Sequence, residues 1–479
     1  MSLTRRVAHN AFLQTVGKGF SVILGALAFS LIARHLGPSR FGDYTTITSF
    51  GTFFSTMADM GFYYIAVREI SKPGTDGEKV FSNAFTLRLI VSLVFVLLAP
   101  LAAYLFFDYS PLVKLGILVV GLSNLATMLI QILTAIFQYR LKTGQVALME
   151  VVAQVLFVGF AVYLISTGAD VMPFIWITSI CTVINFVLLY AVSRKLFPFR
   201  LDFDWTVWKE ILRDAWPMGV ITIINLFYFR FNIVILSVLK PSTDVGIFGA
   251  AYKILETLIA VPTIFVGLVI PILSRYFVSD REKFDRAFKK SFDALIIIAI
   301  PFAVGTQFIA GWVMNIVTGG EGFEGSAQVL QILMVAILAM FLAGLAINTV
   351  VVINKQKSLI GISIFAAAVS VALNLLLIPR FSYIGTSYAT VATEFFISFL
   401  TYVLVYRAAK LRPRFVVALK ALVGGAAMAL VLYFIHTENV IVNVVVGGAV
   451  YVVVLFITRA LSLKDIRSFL NLRKKNVEA

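Results

Sequence analysis

Cysteine is nearly absent, with Cys181 alone in 479 residues. A single thiol inside an apolar stretch excludes an intrachain disulfide framework and reads as a small core residue. Histidine is scarce as well: His9, His35 and His436. His9 and His436 fall at opposite membrane ends in the span assignment below, which argues against a metal cluster. Charged residues make up 13% of the chain, where soluble domains carry roughly 25%. That leaves no room for a soluble catalytic domain. Also missing are HExxH, a GxGxxG following a strand, and a Walker motif. Uphill movement of a solute would therefore draw on a gradient or on a downstream reaction, and no cofactor is expected. Whether Na+ or H+ would be the coupling ion stays open.

What the chain has instead is apolar sequence, 60% of all residues. Nearly every segment between charge clusters is an apolar run of about 18 residues or more, the length of a membrane-crossing helix. A transmembrane β-barrel would show short alternating segments. Fourteen spans are expected, at about 11–34, 43–67, 82–107, 112–138, 145–167, 171–193, 214–239, 246–274, 288–309, 327–352, 358–378, 384–407, 415–435 and 440–459. The amino terminus, MSLTRRVAHNAFLQ, has two arginines before an apolar run but no convincing small-residue cleavage site, so it reads as a retained first helix.

The balance of 40 basic to 24 acidic residues would point to nucleic acid in a soluble protein. Here topology explains much of it, and no nucleic-acid partner is expected. With the amino terminus in the cytoplasm, cytoplasmic segments hold clusters such as Arg68, Lys72 and Lys79, or Arg194, Lys195, Arg200, Lys209 and Arg213. The opposite side holds Arg34, Arg40, Lys114, Lys240 and Arg380, a bias of about six to one. Fourteen crossings then place both termini in the cytoplasm.

The chain repeats. Leu36, Pro38 and Ser39 recur 203 residues later as Leu239, Pro241 and Ser242, and Gly42 and Gly246 open the helices that follow. FSNAF at 81–85 and FDRAF at 284–288 share the same offset. Six crossings separate the two starts, so the halves run in the same direction, as parallel repeats about an axis along the membrane normal. The expected architecture is an all-α polytopic membrane protein of about 14 transmembrane helices. Two six-helix lobes, 1–195 and 196–412, are followed by two further helices and a basic tail over 413–479.

Charges inside spans are expensive and mark function or tight pairing. Arg230 lies deepest, in WPMGVITIINLFYFRFNIVILSVL at 216–239, with Asn225 and Asn232 near it. A guanidinium matches a phosphate bidentately, so an anion contact in a cavity is its functional reading and an internal ion pair its bland one. The 203-residue offset places Leu27 opposite it, so the repeat explains the helix and not the arginine. Arg88, in FTLRLIV, either snorkels to the cytoplasmic interface or faces a cavity. Lys18 is shallow in the first helix and Arg34 stands at its far end, both able to meet phosphate. Lys253 and Glu256 are three apart and can pair across one helical turn. With Asp59 and Glu394 they are the candidates for coupling or gating.

The opening NAFLQTVGKGFSVILGALAFSLIARHLGPSRFGDY, its continuation FFSTMADMGFYYIAVREISK, and VALNLLLIPRFSYIGTSYATVATEF further on carry a family signature. LGPSRFGDY matches a recurrent Leu-Gly-Pro turn with Phe/Tyr-Gly-x-Tyr entering the next helix. Asn374, Pro379, Gly385, Ala389 and Thr390 fit usual positions around helices 11 and 12. Across about 5–460 the chain resembles the polysaccharide-type, lipid-linked oligosaccharide flippases of the multidrug/oligosaccharidyl-lipid/polysaccharide exporter superfamily. That resemblance implies a two-lobed fold that moves a polyprenyl-(pyro)phosphate-linked sugar or oligosaccharide across the cytoplasmic membrane by alternating access. It implies cationic residues against the pyrophosphate, with Arg230, Arg88, Lys18 and Arg34 as candidates by charge and depth. Glycosyltransferases or a polymerase would be its protein partners. Two other readings compete. One is a sodium- or proton-coupled multidrug exporter of the same superfamily, using Asp59 and Glu256. The other is a membrane polysaccharide polymerase or ligase, against which the short outward loops argue.

Overall fold

The computed structural model describes residues 3–59, 61–72, 74, 76–213, 215–216, 219, 231–435, 437 and 439–461, with backbone alone over 3–9 and 11–12. Arg230, Asn225, Pro217, His436 and the basic tail from 462 onward lie outside the described residues.

Every regular element among the described residues is a helix. Hydrocarbon offers no partner to a backbone N–H or C=O, and a helix satisfies both within one segment. In chain order come α1 (Leu3–Met57), α2 (Phe62–Ile70), α3 (Gly77–Phe106), α4 (Pro111–Tyr139), α5 (Thr143–Ser166) and α6 (Val171–Leu196). There follow α7 (Phe231–Leu239), α8 (Ser242–Leu258), α9 (Ala260–Ser279), α10 (Arg281–Thr318), α11 (Gly325–Val352), α12 (Lys357–Ala409), α13 (Phe415–Ile435) and α14 (Val440–Ile457). Short turns separate most spans, and polar side chains set where several begin. Asp76, Ser110, Asp170 and Asn439 each accept from a backbone N–H of the first turn that follows.

Among the described residues, eleven helices are long and apolar enough to cross a membrane. Two of them are too long to cross once. Leu13–Met57 has 45 residues and Lys357–Ala409 has 53. At 1.5 Å per residue the shorter would reach ~68 Å, more than twice a hydrocarbon core of ~30 Å. Both fold back on themselves. Phe29 and Phe41 stack edge to face at 5.1 Å although twelve residues apart, and the non-helical residue between them is Gly37, at φ 67°. Glycine is the one residue that holds this backbone without strain. A Cβ on Gly385 would lie 2.5 Å from the Leu377 carbonyl, eight residues back, and the pivot between them is Ser382, at φ 49°. The chain is thus a multi-pass all-α membrane protein. The expected spans 358–378 and 384–407 run through one folded helix, whereas the second of the pair 11–34 and 43–67 is interrupted, with α1 ending at Met57 and α2 continuing from Phe62.

Two compact units are present. The first comprises Met1–Ala250, Ile316–Phe323 and Ser370–Thr386. Its central helix is α4, which buries Ile117, Val120, Ile132, Leu133 and Ile136. Small residues let the helices close on each other. A Cβ on Gly116 would collide with Ile47 at 2.3 Å, and one on Gly51 with Val120 and Asn124 at 2.6 Å. The second unit comprises Ala251–Asn315, Glu324–Val369 and Ser387–Ala479. Within it α13 and α14 dock on α10: the Tyr451 hydroxyl donates to the Ile297 carbonyl at 2.9 Å, and Gly425 faces Ile300.

Candidate functional site

Several polar assemblies lie inside the spans of the first unit, and the second unit holds the pair named from the sequence. The first assembly is a helix break. After Met57 the chain leaves the helical path, and α2 starts from Gly61 at φ 75°. The carbonyls at the end of a helix need donors, and within a membrane water cannot supply them. Arg88 of α3 does. Its guanidinium donates to the Ala58 and Met128 carbonyls and, at 2.8 Å, to Oε1 of Gln131. It lies 3.6 Å from the Asp59 carboxylate and 5.4 Å from the centre of the Phe62 ring. Asp59 also accepts from the Gly61 N–H, at 3.3 Å. Arg88 is 1% exposed, while the Asp59 side chain is 38% exposed. The arginine therefore neither snorkels nor stands open; an anion would have to displace one of these partners to reach it.

Lys18 sits on the seam between α1 and α5 and pairs with Glu150 at 2.7 Å, with 64% of its side chain exposed. The seam is close because Gly17 abuts Ala147 and Gly144 abuts Leu13. Arg34 is exposed at the other end of the same straight stretch, sixteen residues on, so ~24 Å from Lys18. One diphosphate cannot touch both at once. Arg34 and Ser30 donate to the terminal carbonyls of α10, Ser30 to Val317 at 2.8 Å and both to Ile316. A cation at the carbonyl end of a helix is favourably placed.

Another assembly joins three turns. Ser242 donates to Asp43 at 2.6 Å, Ser382 donates to Asp244, and Lys240 donates to the Pro379 carbonyl at 3.1 Å. A further one is a buried amide pair. The Asn232 side-chain carbonyl accepts from Ser370 at 3.1 Å and from Asn374 at 3.0 Å, with all three residues at most 3% exposed. In the second unit Lys253 and Glu256 pair at 3.3 Å, as their spacing allows, and Glu394 is buried. No group of three or more potential metal ligands occurs among the described residues.

The sequence marks most of the charged and amide members of these assemblies, and the Lys253–Glu256 pair by its spacing, but neither which of the distant ones meet nor the hydroxyls that join them. Ser370, Ser382, Asp244 and Ser30 were not singled out, because hydroxyls are common inside spans and nothing local marks a distant acceptor. The signal that existed was the turn chemistry around Pro38, Pro241 and Pro379.

The chain matches the Polysaccharide biosynthesis protein family over residues 7–277, more than half its length. It belongs to that family. Among curated relatives of this polysaccharide biosynthesis protein, the "Probable low-salt glycan biosynthesis flippase Agl15" of Haloferax volcanii is 20% identical over 377 residues. The match spans 78% of this chain and 77% of the relative. Among solved structures, the lipid II flippase MurJ in an inward closed conformation superposes with a TM-score of 0.74 at 16% identity, covering 95% of this chain and 99% of MurJ. An inward-facing multidrug resistance MATE family transporter of the MOP superfamily gives 0.60 at 14% identity, over 86% and 95% of the two chains. These likenesses establish the fold that the family member shares with both transporters.

Proposed function

We propose that this chain is a flippase. It carries a polyprenyl-(pyro)phosphate-linked sugar or oligosaccharide across the cytoplasmic membrane by alternating access, for cell-surface polysaccharide biosynthesis. The observation that carries the reading is the family match over residues 7–277. A glycan biosynthesis flippase that aligns over most of its own length supports it. The physical need is clear: unpaired charge in hydrocarbon is very costly, so a pyrophosphate cannot cross unaided. No bond forms or breaks, so no catalytic residue is required.

In this reading the parallel repeat gives two lobes, 1–195 and 196–412, with 413–479 added, and both termini lie in the cytoplasm. Arg230 is the principal headgroup contact, supported by its depth in the sequence and by Asn225 and Asn232 beside it. Lys18 and Arg34, too far apart to share one phosphate, serve as successive stations. Arg88, with its partners all protein groups, holds the helix break that Asp59 completes. Lys253, Glu256 and Glu394 tune or gate the movement. Glycosyltransferases or a polymerase supply and consume the lipid-linked glycan.

The test is translocation of a fluorescent lipid-pyrophosphate sugar in proteoliposomes. The expected result is flipping that Arg230→Ala abolishes, with insertion intact, and that Arg230→Lys restores only in part because the fork is lost. Absence of flipping together with sodium-responsive binding of a cationic dye would replace this reading with a multidrug exporter.

A further inference from the structure

Between α6 and the next span runs a segment with two unlike faces. Residues 197–204 lie along the first turns of α3 and are fastened to it. The N–H groups of Arg200, Asp202 and Asp204 donate to the side chains of Ser82 at 3.1 Å, Thr86 at 2.9 Å and Asn83 at 2.7 Å. Asn83 in turn donates to Asp202 at 3.2 Å, and Lys79 pairs with Asp204 at 2.6 Å. Asp204 then caps a short helix over 205–213 by accepting from the Thr206 N–H at 3.0 Å. Phe197, Phe199, Trp208 and Ile211 are buried in the core beneath.

The other face carries Leu201, Phe203 and Trp205, each between 62% and 65% exposed. Large apolar side chains this open need a covering medium. The position supplies one. The strap sits where α6 ends and α3 begins, so it lies where two spanning helices leave hydrocarbon. Tryptophan and tyrosine concentrate at that level. Asp202 and Asp204 turn toward α3, and among residues 195–213 Lys195, Arg200, Lys209 and Arg213 are exposed against one exposed acid, Glu210. Exposed aromatics with an excess of exposed cations fit an interfacial segment on an anionic bilayer surface.

We propose that this strap is a lipid-binding element. Leu201, Phe203 and Trp205 seat in the boundary between headgroups and acyl chains, and Arg200 and Lys209 hold anionic phospholipid headgroups. Because the strap is bonded to α3, the first unit is held in register with one membrane surface there. This inference does not depend on the transported substrate.

The experiment uses the full-length protein with Cys181→Ala and a nitroxide on Trp205→Cys, reconstituted into vesicles of phosphatidylcholine with or without phosphatidylglycerol. The expected result is higher accessibility to oxygen than to a water-soluble nickel chelate, with deeper placement when phosphatidylglycerol is present. Preferential access to the nickel chelate in both lipids overturns the proposal. So does shielding from both reagents, which would mean that protein covers the face. A second measurement needs no label: retention of phosphatidylglycerol over phosphatidylcholine by the purified protein in native mass spectrometry. Arg200→Gln and Lys209→Gln should each lower that preference roughly fivefold, as expected for one cation at an anionic surface. An unchanged preference in the double variant also overturns it.

Discussion

Gly42 and Gly246 meet backbone to backbone. A Cβ on Gly42 would fall 1.7 Å from the Ser242 carbonyl oxygen, and one on Gly246 would fall 2.1 Å from that of Pro38. These are the two turns that the sequence repeat relates, and the hydrogen bond from Ser242 to Asp43 crosses between them. Gly42→Ala and Gly246→Ala each force backbone apart rather than a flexible side-chain tip. Each should cost at least the ~1–3 kcal/mol typical of overpacking. Thermal unfolding in detergent checks this, with Gly344→Ala, where a Cβ meets nothing within 4 Å, as the control that should not destabilise.

Arg88 should be required for folding more than its ion pair alone suggests. Arg88→Leu leaves the Ala58 carbonyl and Gln131 without their donor and Asp59 without its counterion, an expected loss of ~3–5 kcal/mol. Asp59→Asn should cost less, since Asp59 is partly exposed and an amide can still accept from Gly61. Midpoints of unfolding for the two single variants and the double variant measure the coupling. Equal costs for the two singles would contradict the geometry.

Ser382 pivots α12 in a conformation that L-residues avoid, steadied by its hydrogen bond to Asp244. Ser382→Ala keeps the strain and removes the bond. Ser382→Gly removes both. The glycine variant should therefore be more stable than the alanine variant by ~1–2 kcal/mol, although both lose the donor. Alanine at or above glycine in melting temperature would refute this account of the pivot.

The strap on α3 should hold to unusually low pH. The hydrogen bond from Lys79 and then the Thr206 N–H hold the Asp204 carboxyl below its ordinary value. A depressed carboxylate stabilises the fold above the unfolded value of ~3.9, and that contribution is lost as pH falls through the lower folded value. Trp208 packs beneath, 4.5 Å from Phe203, and its fluorescence reports the region. Wild type should keep its signal as pH falls to about 4 and change only below that. Asp204→Asn should lack this transition.

Lys18→Gln should barely alter stability, because its pair with Glu150 is largely exposed and such pairs are worth ~0–1 kcal/mol. A marked drop in flipping with an unchanged melting temperature would then assign Lys18 to the transport path. A matching fall in both would make it a packing residue.

Much of the fold was legible because its causes are local. Hydrocarbon thickness sets the length of an apolar run, so a multi-pass helical protein could be read from hydropathy. Backbone φ at a tight turn selects glycine, so the fold in α1 could be placed at Leu36–Gly37–Pro38. The turn in α12 was visible as a break in the apolar run, yet its pivot was not, since a serine at positive φ is held there by Asp244, 138 residues away. The same distance problem governed the site. Arg88 could be read as a costly charge, but sequence offered snorkelling or a cavity. What decided between them was which free carbonyls lay within reach, and a helix break at Ala58 supplied them. Asn232 and Asn374 each looked like a polar residue in a span; their shared hydrogen bond exists only because two distant helices are packed together. The sequence by itself determined that this protein is a multi-pass helical membrane protein, because those energies belong to short segments. Only the tertiary structure decided which buried charges are already satisfied, because a hydrogen bond depends on neighbours that the chain order does not reveal.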